Sequence, residues 1–364
     1  MGSLTMDMKG ANEGLTEDEI EIYSRQIVLA DIGFQGQLKL KEARVAIVGL
    51  GGLGCPTATL LASMGVGYLR LVDRDVVEKS NLHRQWLYNL KDVGYSKVEV
   101  AARRIIELNP YVKVEPMPIY VDESTAEDVV EGVDVVLDGL DNISARRALN
   151  RACVKLGVPY VFATALQTYG LVSTIIPGET PCLECIFPGV DDEDLPTCAT
   201  VGVHPVILNL VSSIEVFEAV NILTGSEPRL KGKLMVCDLY TLYFHPVDVS
   251  RSENCYVCSS RGYRPASSVN YPVVEELCGR GGLPVYIVNP GKMLHIDLEN
   301  LASRLSLPGL EILVKGALGV TLRSSGGVKV SILRTGIMIV EGVAARDEVA
   351  SLYHSIIGCT CSRL

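Results

Sequence analysis

Between Val45 and Leu69 the chain carries no charged residue. An uncharged run of that length fits few structures. As one helix it would be long enough to cross a bilayer. Otherwise it has to lie in the core of a globular domain. The run holds Gly49, Gly51, Gly52, Gly54, Gly65, Gly67 and Pro56, and it opens with the β-branched stretch RVAIVG. Glycine and proline weaken a helix interior. The expected structure is therefore a buried strand, a tight glycine loop and a buried helix from about Pro56, since proline suits a first helical turn. No membrane is expected as a partner.

The flanking sequence continues the same rhythm. TEDEIEIYSRQIVL reads as an amphipathic helix with Thr16 as N-cap and Glu19 completing a capping box. YLRLVD, VKVEPMPIYV, DVVLDGLDN and PYVFATA read as strands, with the helices KVEVAARRIIELNP and SARRALNRACVKLG between them. Strands alternating with helices predict an α/β fold with a doubly wound, mostly parallel, Rossmann-like sheet. That domain is expected over residues 15–265, and a small α+β domain over 270–364.

Composition narrows the partners. Hydrophobic residues make up 48% of the chain against 21% charged, a globular balance. The net charge of −10 disfavours nucleic acid, whose phosphates demand lysine and arginine. The 11 cysteines and a polar, acidic N-terminus without a secretory leader point to a reducing cytoplasm and to thiols used for metal or catalysis.

The loop VGLGGLGCP can bring backbone N–H groups and a helix N-terminus to a phosphate. Asp73 ends the second strand at the spacing of an acid that binds ribose hydroxyls. NAD and ATP are equally served so far. The next segment favours a triphosphate, because Asn81, Arg84, Gln85 and Lys97 supply amide and cationic donors able to offset charge as it reacts. Farther on, CLEC (Cys182, Cys185) and CYVC (Cys255, Cys258) form two knuckles suited to a tetrahedral zinc ion.

YSRQ, GLGGLG, VDRD, SNLHRQ, GYSKVE and GLDN occur in that order over about Glu19 to Cys258. In this the chain resembles the ubiquitin-activating-enzyme-like (ThiF–MoeB) adenylating enzymes, which include sulfur-carrier activators for molybdopterin and thiamine. Many members share the paired-knuckle arrangement. The resemblance implies that ATP and Mg²⁺ are used to adenylate the C-terminal glycine of a ubiquitin-like β-grasp protein ending in Gly-Gly. Asp73 would hold the ribose. Asn81, Arg84, Gln85 and Lys97 would meet phosphates, and Asp141 would hold magnesium. Arg25 would reach the partner subunit's ATP, which implies a homodimer.

Cys198, in EDLPTCATVGVHP, has the position of the family's reactive cysteine, implying a thioester and handover to a conjugating enzyme. The preceding Asp191, Asp192, Glu193 and Asp194 would raise its thiol pKa. His204 is a nearby candidate, though a lone histidine more often packs. Cys55 is expected to pack against the glycine loop. Sulfur-carrier activators usually guide the substrate tail with an arginine and a glutamate, where this chain has Gln167 and Tyr169. Residues from 270 do not resemble a rhodanese domain. Cys278 is a weak candidate nucleophile, and Cys359 and Cys361 read as tail. A ubiquitin-fold-like domain that recruits a conjugating enzyme would fit, as would a dimer-stabilising extension.

The leading expectation is a ubiquitin-like modifier activating enzyme. Its alternatives are sulfur-carrier activation for molybdopterin, thiamine or tRNA thiolation, an NAD-dependent oxidoreductase, and a noncatalytic partner subunit.

Overall fold

A computed structural model describes residues 14–192, 195, 198–259, 272–280, 283–305 and 309–357. Cys359 and Cys361 lie outside the described residues, as do Glu193 and Asp194.

The uncharged run is a strand, loop and helix, as its composition predicts. β1 (Arg44–Val48) enters the core with four buried residues, and α3 (Gly54–Ser63) follows the glycine loop. β1 pairs in parallel with β2 (Tyr68–Val72) on one side and β4 (Val135–Asp138) on the other, so Val45 stands opposite both Leu69 and Val135. β3 (Lys113–Met117) adds beyond β2, and β5 (Tyr160–Leu166) beyond β4. The strand order 3-2-1-4-5 therefore reverses between β1 and β4. In open α/β sheets a ligand crevice lies at the strand C-termini at that switch point.

Three antiparallel strands extend the sheet: β6 (Tyr169–Ile175), β7 (Lys233–Asp238) and β8 (Tyr243–Asp248). One face packs on α3, α2 (Gly33–Glu42), α4 (Lys97–Leu108) and α9 (Pro205–Thr224). The other packs on α5 (Ala126–Val130), α6 (Ile143–Leu156) and α7 (Leu183–Ile186). Ile47, on β1, is fully buried. A side chain of its size contributes about 1.5–3 kcal/mol on burial. α9 is long and apolar enough to cross a membrane, yet one side of it lies against β4–β6 and α3 in this core.

α1 (Glu17–Ile27) begins with the expected capping box, Thr16 and Glu19 bonding reciprocally at 3.2 and 2.8 Å. α6 is capped by Asn142, which accepts from Ala145 N at 2.8 Å.

The second sheet is antiparallel throughout, in the order β11-β12-β13-β14-β10-β9. Its strands are β9 (Val273–Arg280), β10 (Leu283–Asn289), β11 (Leu310–Lys315), β12 (Gly319–Ser324), β13 (Lys329–Leu333) and β14 (Met338–Glu341). With α10 (Leu298–Leu305) and α11 (Arg346–Ile357) it encloses a core of its own. Cys278 lies in β9, and its side chain is outside the described residues.

Candidate functional site

At the switch point opens a cleft of about 1390 Å³. Ordinary small-molecule pockets hold about 300–1,000 Å³. The space therefore suits a nucleotide together with a second reactant. Gly49, Gly51, Gly52, Asp73, Asn81, Arg84, Gln85, Lys97 and Asp141 all line it, so residues spread over three loops and a helix start are brought together. Gly54 is not among the lining residues, and a Cβ there would stand 1.8 Å from the Gly49 carbonyl oxygen. Arg25, expected to reach a partner subunit's nucleotide, is exposed on α1.

The glycine loop is held open from behind. Leu50 N and Asp75 N each donate to the Asp73 carboxylate at 2.7 Å. The Gly51 and Gly52 amides find no acceptor among the described residues. α3 starts without a side-chain cap. Exposed amides and the positive end of a helix dipole favour an anion at this point.

Lys97 opens α4 and reaches Asp75 at 3.1 Å. Burial opposes its charge, but the carboxylates of Asp73, Asp75 and Glu78 outweigh that and hold the amine well above its ordinary range. Asp73 is pushed upward by burial, against the pull of Lys97. Asn81 accepts from Glu78 N at 3.0 Å, and Arg84 donates to the Ser80 carbonyl at 2.9 Å. Gln85 is buried, and its Oε1 has no hydrogen-bond partner among the described residues. Such a group is costly unless a ligand or water meets it.

The cleft continues along Thr164, Ala165, Leu166 and the half-exposed Tyr169. Gln167 turns the β5–β6 hairpin with φ +53°. Its backbone takes a hydrogen bond from His204 N at 2.8 Å and gives one to the Gly202 carbonyl at 3.0 Å. Cys198 opens α8 (Cys198–Val201), so this hairpin anchors the chain just beyond it. The Cys198 side chain itself lies outside the described residues. His204 caps α9, its Nδ1 accepting from Val206 N at 3.2 Å. Asp191 pairs with Arg147 at 2.8 Å, and Asp192 accepts from Ile143 N at 2.6 Å at the start of α6. Two of the acids expected to press on Cys198 are thus engaged by α6. Cys55 is buried, and burial pushes its thiol up to about 12, which makes it inert at neutral pH.

On the α5–α7 face of the sheet Cys182, Cys185, Cys255 and Cys258 converge, all four sulfurs within 4.8 Å of one another. Cys182 Sγ is 3.6 Å from Cys255 Sγ, and Cys185 Sγ is 3.5 Å from Cys258 Sγ. Tetrahedral zinc with bonds of about 2.3 Å would set its sulfurs roughly 3.8 Å apart. The donor set and spacing are compatible with zinc.

The ThiF family model matches residues 23–257, about two thirds of the chain. The chain belongs to the ThiF family. Two relatives named adenylyltransferase and sulfurtransferase MOCS3 are each 40% identical. That of Drosophila grimshawi aligns over 258 residues, 70% of this chain, and that of Drosophila sechellia over 267, or 73%. Each match spans 58% of the relative's own length. Escherichia coli MccB crystallised with ATP is similar in structure, with a TM-score of 0.56 and 26% identity over 62% of this chain and 68% of that one. PaaA has a TM-score of 0.58 and 26% identity over 69% and 79%.

Sequence reasoning missed one group of this ThiF-family cleft. Arg74, Glu275, Glu276, Arg323 and Lys329 also line it, and four of these five come from the second sheet. No spacing signal links a strand near residue 275 to a loop near residue 74. Arg74 stands inside the VDRD motif and was the one legible hint.

Proposed function

We propose that the protein uses ATP to adenylate the C-terminal carboxylate of a small ubiquitin-like β-grasp protein ending in Gly-Gly. The observation that carries this reading is the continuous cleft, which runs from the glycine loop and its cationic donors to the β5–β6 hairpin. An extended tail entering along Leu166 and Tyr169 would meet a nucleotide seated on the loop. A C-terminal carboxylate is already ionised at pH 7. It attacks the α-phosphorus of ATP, the bond to the β-phosphate oxygen breaks, and pyrophosphate leaves. No general base is needed, only alignment and offset of negative charge.

Asp73 would hold the ribose. Asn81, Arg84, Gln85 and Lys97 would meet the phosphates. Magnesium, when bound, would offset charge on the phosphate chain, and Asp141 would hold it. The exposed Tyr240, Leu242, Tyr243 and Phe244 around the edge strand β8 offer an apolar surface for the body of the β-grasp protein. α1 and the turn that follows it expose Ile22, Val28 and Leu29 near Arg25 in sequence, which suits a homodimer with Arg25 reaching the partner's nucleotide. Buried free thiols at Cys55, Cys153 and Cys237 suit a reducing cytoplasm.

Two fates for the adenylate differ in Cys198. In modifier activation its thiolate takes the acyl group, AMP leaves, and a conjugating enzyme receives the tail. In sulfur-carrier activation the adenylate itself is the product handed on. The names of the MOCS3 relatives favour the second. The test is intact mass under nonreducing conditions after mixing the protein with ATP, magnesium and a Gly-Gly-ended β-grasp protein. Free acyl-adenylate without an adduct is expected for sulfur-carrier activation. A thiol-labile adduct that disappears in Cys198→Ala would mean modifier activation. Neither product, across sulfur carriers and ubiquitin-like modifiers alike, would remove the adenylation reading.

A further inference from the structure

The second sheet is docked on the loops that build the nucleotide cleft. Glu275, in β9, accepts a hydrogen bond from Arg74 at 3.0 Å and another from the Tyr120 hydroxyl at 2.5 Å. The Arg74 guanidinium lies 4.5 Å over the Tyr120 ring. Thr321, in β12, donates to the Gly94 carbonyl at 2.7 Å. A Cβ on Gly94, which has φ +94°, would come within 2.9 Å of Val314, so the fit there is close. The amides of Ala317 and Leu318 both donate to the Glu99 carboxylate, at 2.9 and 2.8 Å. Beneath these contacts Val76 and Tyr120 pack into an apolar plug with Val285, Ile287 and Leu333.

Each docking point is a near neighbour of a group lining the cleft. Arg74 follows Asp73, Glu99 is two residues past Lys97, Gly94 three before it, and Tyr120 stands between Ile119 and Val121. Arg74 itself feels Asp141 and Asp75 as well as Glu275. Without Glu275 the guanidinium would turn to those two carboxylates, one of which is the magnesium candidate.

We propose that the C-terminal domain is a fixed wall of the nucleotide cleft, and that Glu275 is a positioning residue which keeps Arg74 against Tyr120 and off Asp141. The proposal rests on the adenylation reading above. It makes the domain part of the ATP site, acting through loop geometry and not through contact with the reacting atoms.

The experiment compares full-length wild type, Glu275→Ala, Glu275→Gln and Asn289→Ala. Asn289 donates to Asp122 at 2.7 Å across the same interface but outside the cleft, so its variant reports docking alone. The readouts are the Kd of a nonhydrolysable ATP analogue with magnesium, KM and kcat in pyrophosphate exchange, and the thermal midpoint. Glu275→Ala is expected to weaken nucleotide binding and raise KM for ATP about tenfold, the scale of a lost charged hydrogen bond, with kcat within about twofold. Glu275→Gln keeps an acceptor oxygen and should recover most of the affinity. Asn289→Ala should leave Kd unchanged. If Glu275→Ala lowers the thermal midpoint but binds the analogue like wild type, the proposal is overturned. If Asn289→Ala weakens binding equally, domain docking in general is responsible and the role of Glu275 falls. Failure of wild type itself to bind the analogue would remove the adenylation reading first.

Discussion

The nucleotide cleft at the strand C-termini and the thiol cluster on the α5–α7 face of the same sheet solve opposite problems. In the cleft the charged groups Asp73, Lys97 and Arg74 are partnered within the protein. Asp73 takes two amides, Lys97 reaches Asp75 and Arg74 reaches Glu275. Such a site keeps its shape before any ligand arrives. In the cluster the neighbours of the sulfurs are largely one another, and burial together with adjacent thiols pushes Cys182 well above the ordinary range for a thiol. A cation bound among the four sulfurs would stabilise their thiolates and draw them together productively. The cleft should therefore tolerate loss of its ligand without loss of fold, and the cluster should not.

The largest expected effect breaks the cluster. Metal analysis of undenatured protein should find about one zinc per chain, the capacity of one four-sulfur site. Removing it with a chelator, or replacing Cys182 with Ser, should destabilise the protein by several kcal/mol, on the order of 3–5, and lower its thermal midpoint. The pins between residues 182–185 and 255–258 would be lost, with the packing of Cys182, Cys255 and Cys258 against that face of the core. A metal-free protein with unchanged melting would show that packing alone holds this corner.

The next effect works through chemistry with the fold left whole. Asp141 is exposed and Asn142 supplies the helix cap, so Asp141→Ala should melt within a degree or two of wild type. Pyrophosphate exchange should fall by about 10²–10³, the scale seen when one electrostatic stabiliser is removed from a reacting phosphate or oxyanion. Normal exchange in that variant would take Asp141 out of the reaction.

How much of this was legible in sequence depended on how local each signal was. The strand, glycine loop and helix of residues 45–69 follow from helix breakers inside an uncharged run. The thiol cluster was legible although Cys185 and Cys258 are 73 residues apart, because each CxxC pair is itself a local unit. The glycine motif places Gly54 beside a phosphate, but the packing constraint on it, the Gly49 carbonyl 1.8 Å from where a Cβ would be, exists only after strand and helix have packed. Glu275 is harder still. It sits in β9, 201 residues from Arg74, and nothing in either neighbourhood marks the pair. Antiparallel additions such as β6–β8 were likewise hidden, because alternation of apolar residues does not reveal strand direction.

The smallest expected effect lies beneath the cleft and sharpens the contrast between a preformed site and one made by its ligand. Glu215 of α9 is fully buried under the end of β4. It accepts from Asp138 N at 2.7 Å and from the Thr57 hydroxyl at 2.8 Å. Asp138 in turn holds Arg146 at 3.0 Å and Tyr160 at 2.5 Å. Burial is the main cause that raises the Glu215 carboxyl far above its usual 4.5. Its native pKa thus exceeds its unfolded value, and folding takes up a proton between the two. The stability it contributes is fully present below pH 4.5 and is lost as pH rises through the raised native value. Glu215→Gln removes that ionisation while keeping a side chain of the same shape, with the Thr57 hydroxyl free to turn and accept. Near pH 5 the variant should lie within about 1 kcal/mol of wild type. Towards pH 8 and above it should equal or exceed it, with a flatter dependence of unfolding free energy on pH. Parallel profiles for the two proteins would mean that Glu215 does not titrate on folding. The floor of the cleft would then be held by a charged network of the kind the rim displays.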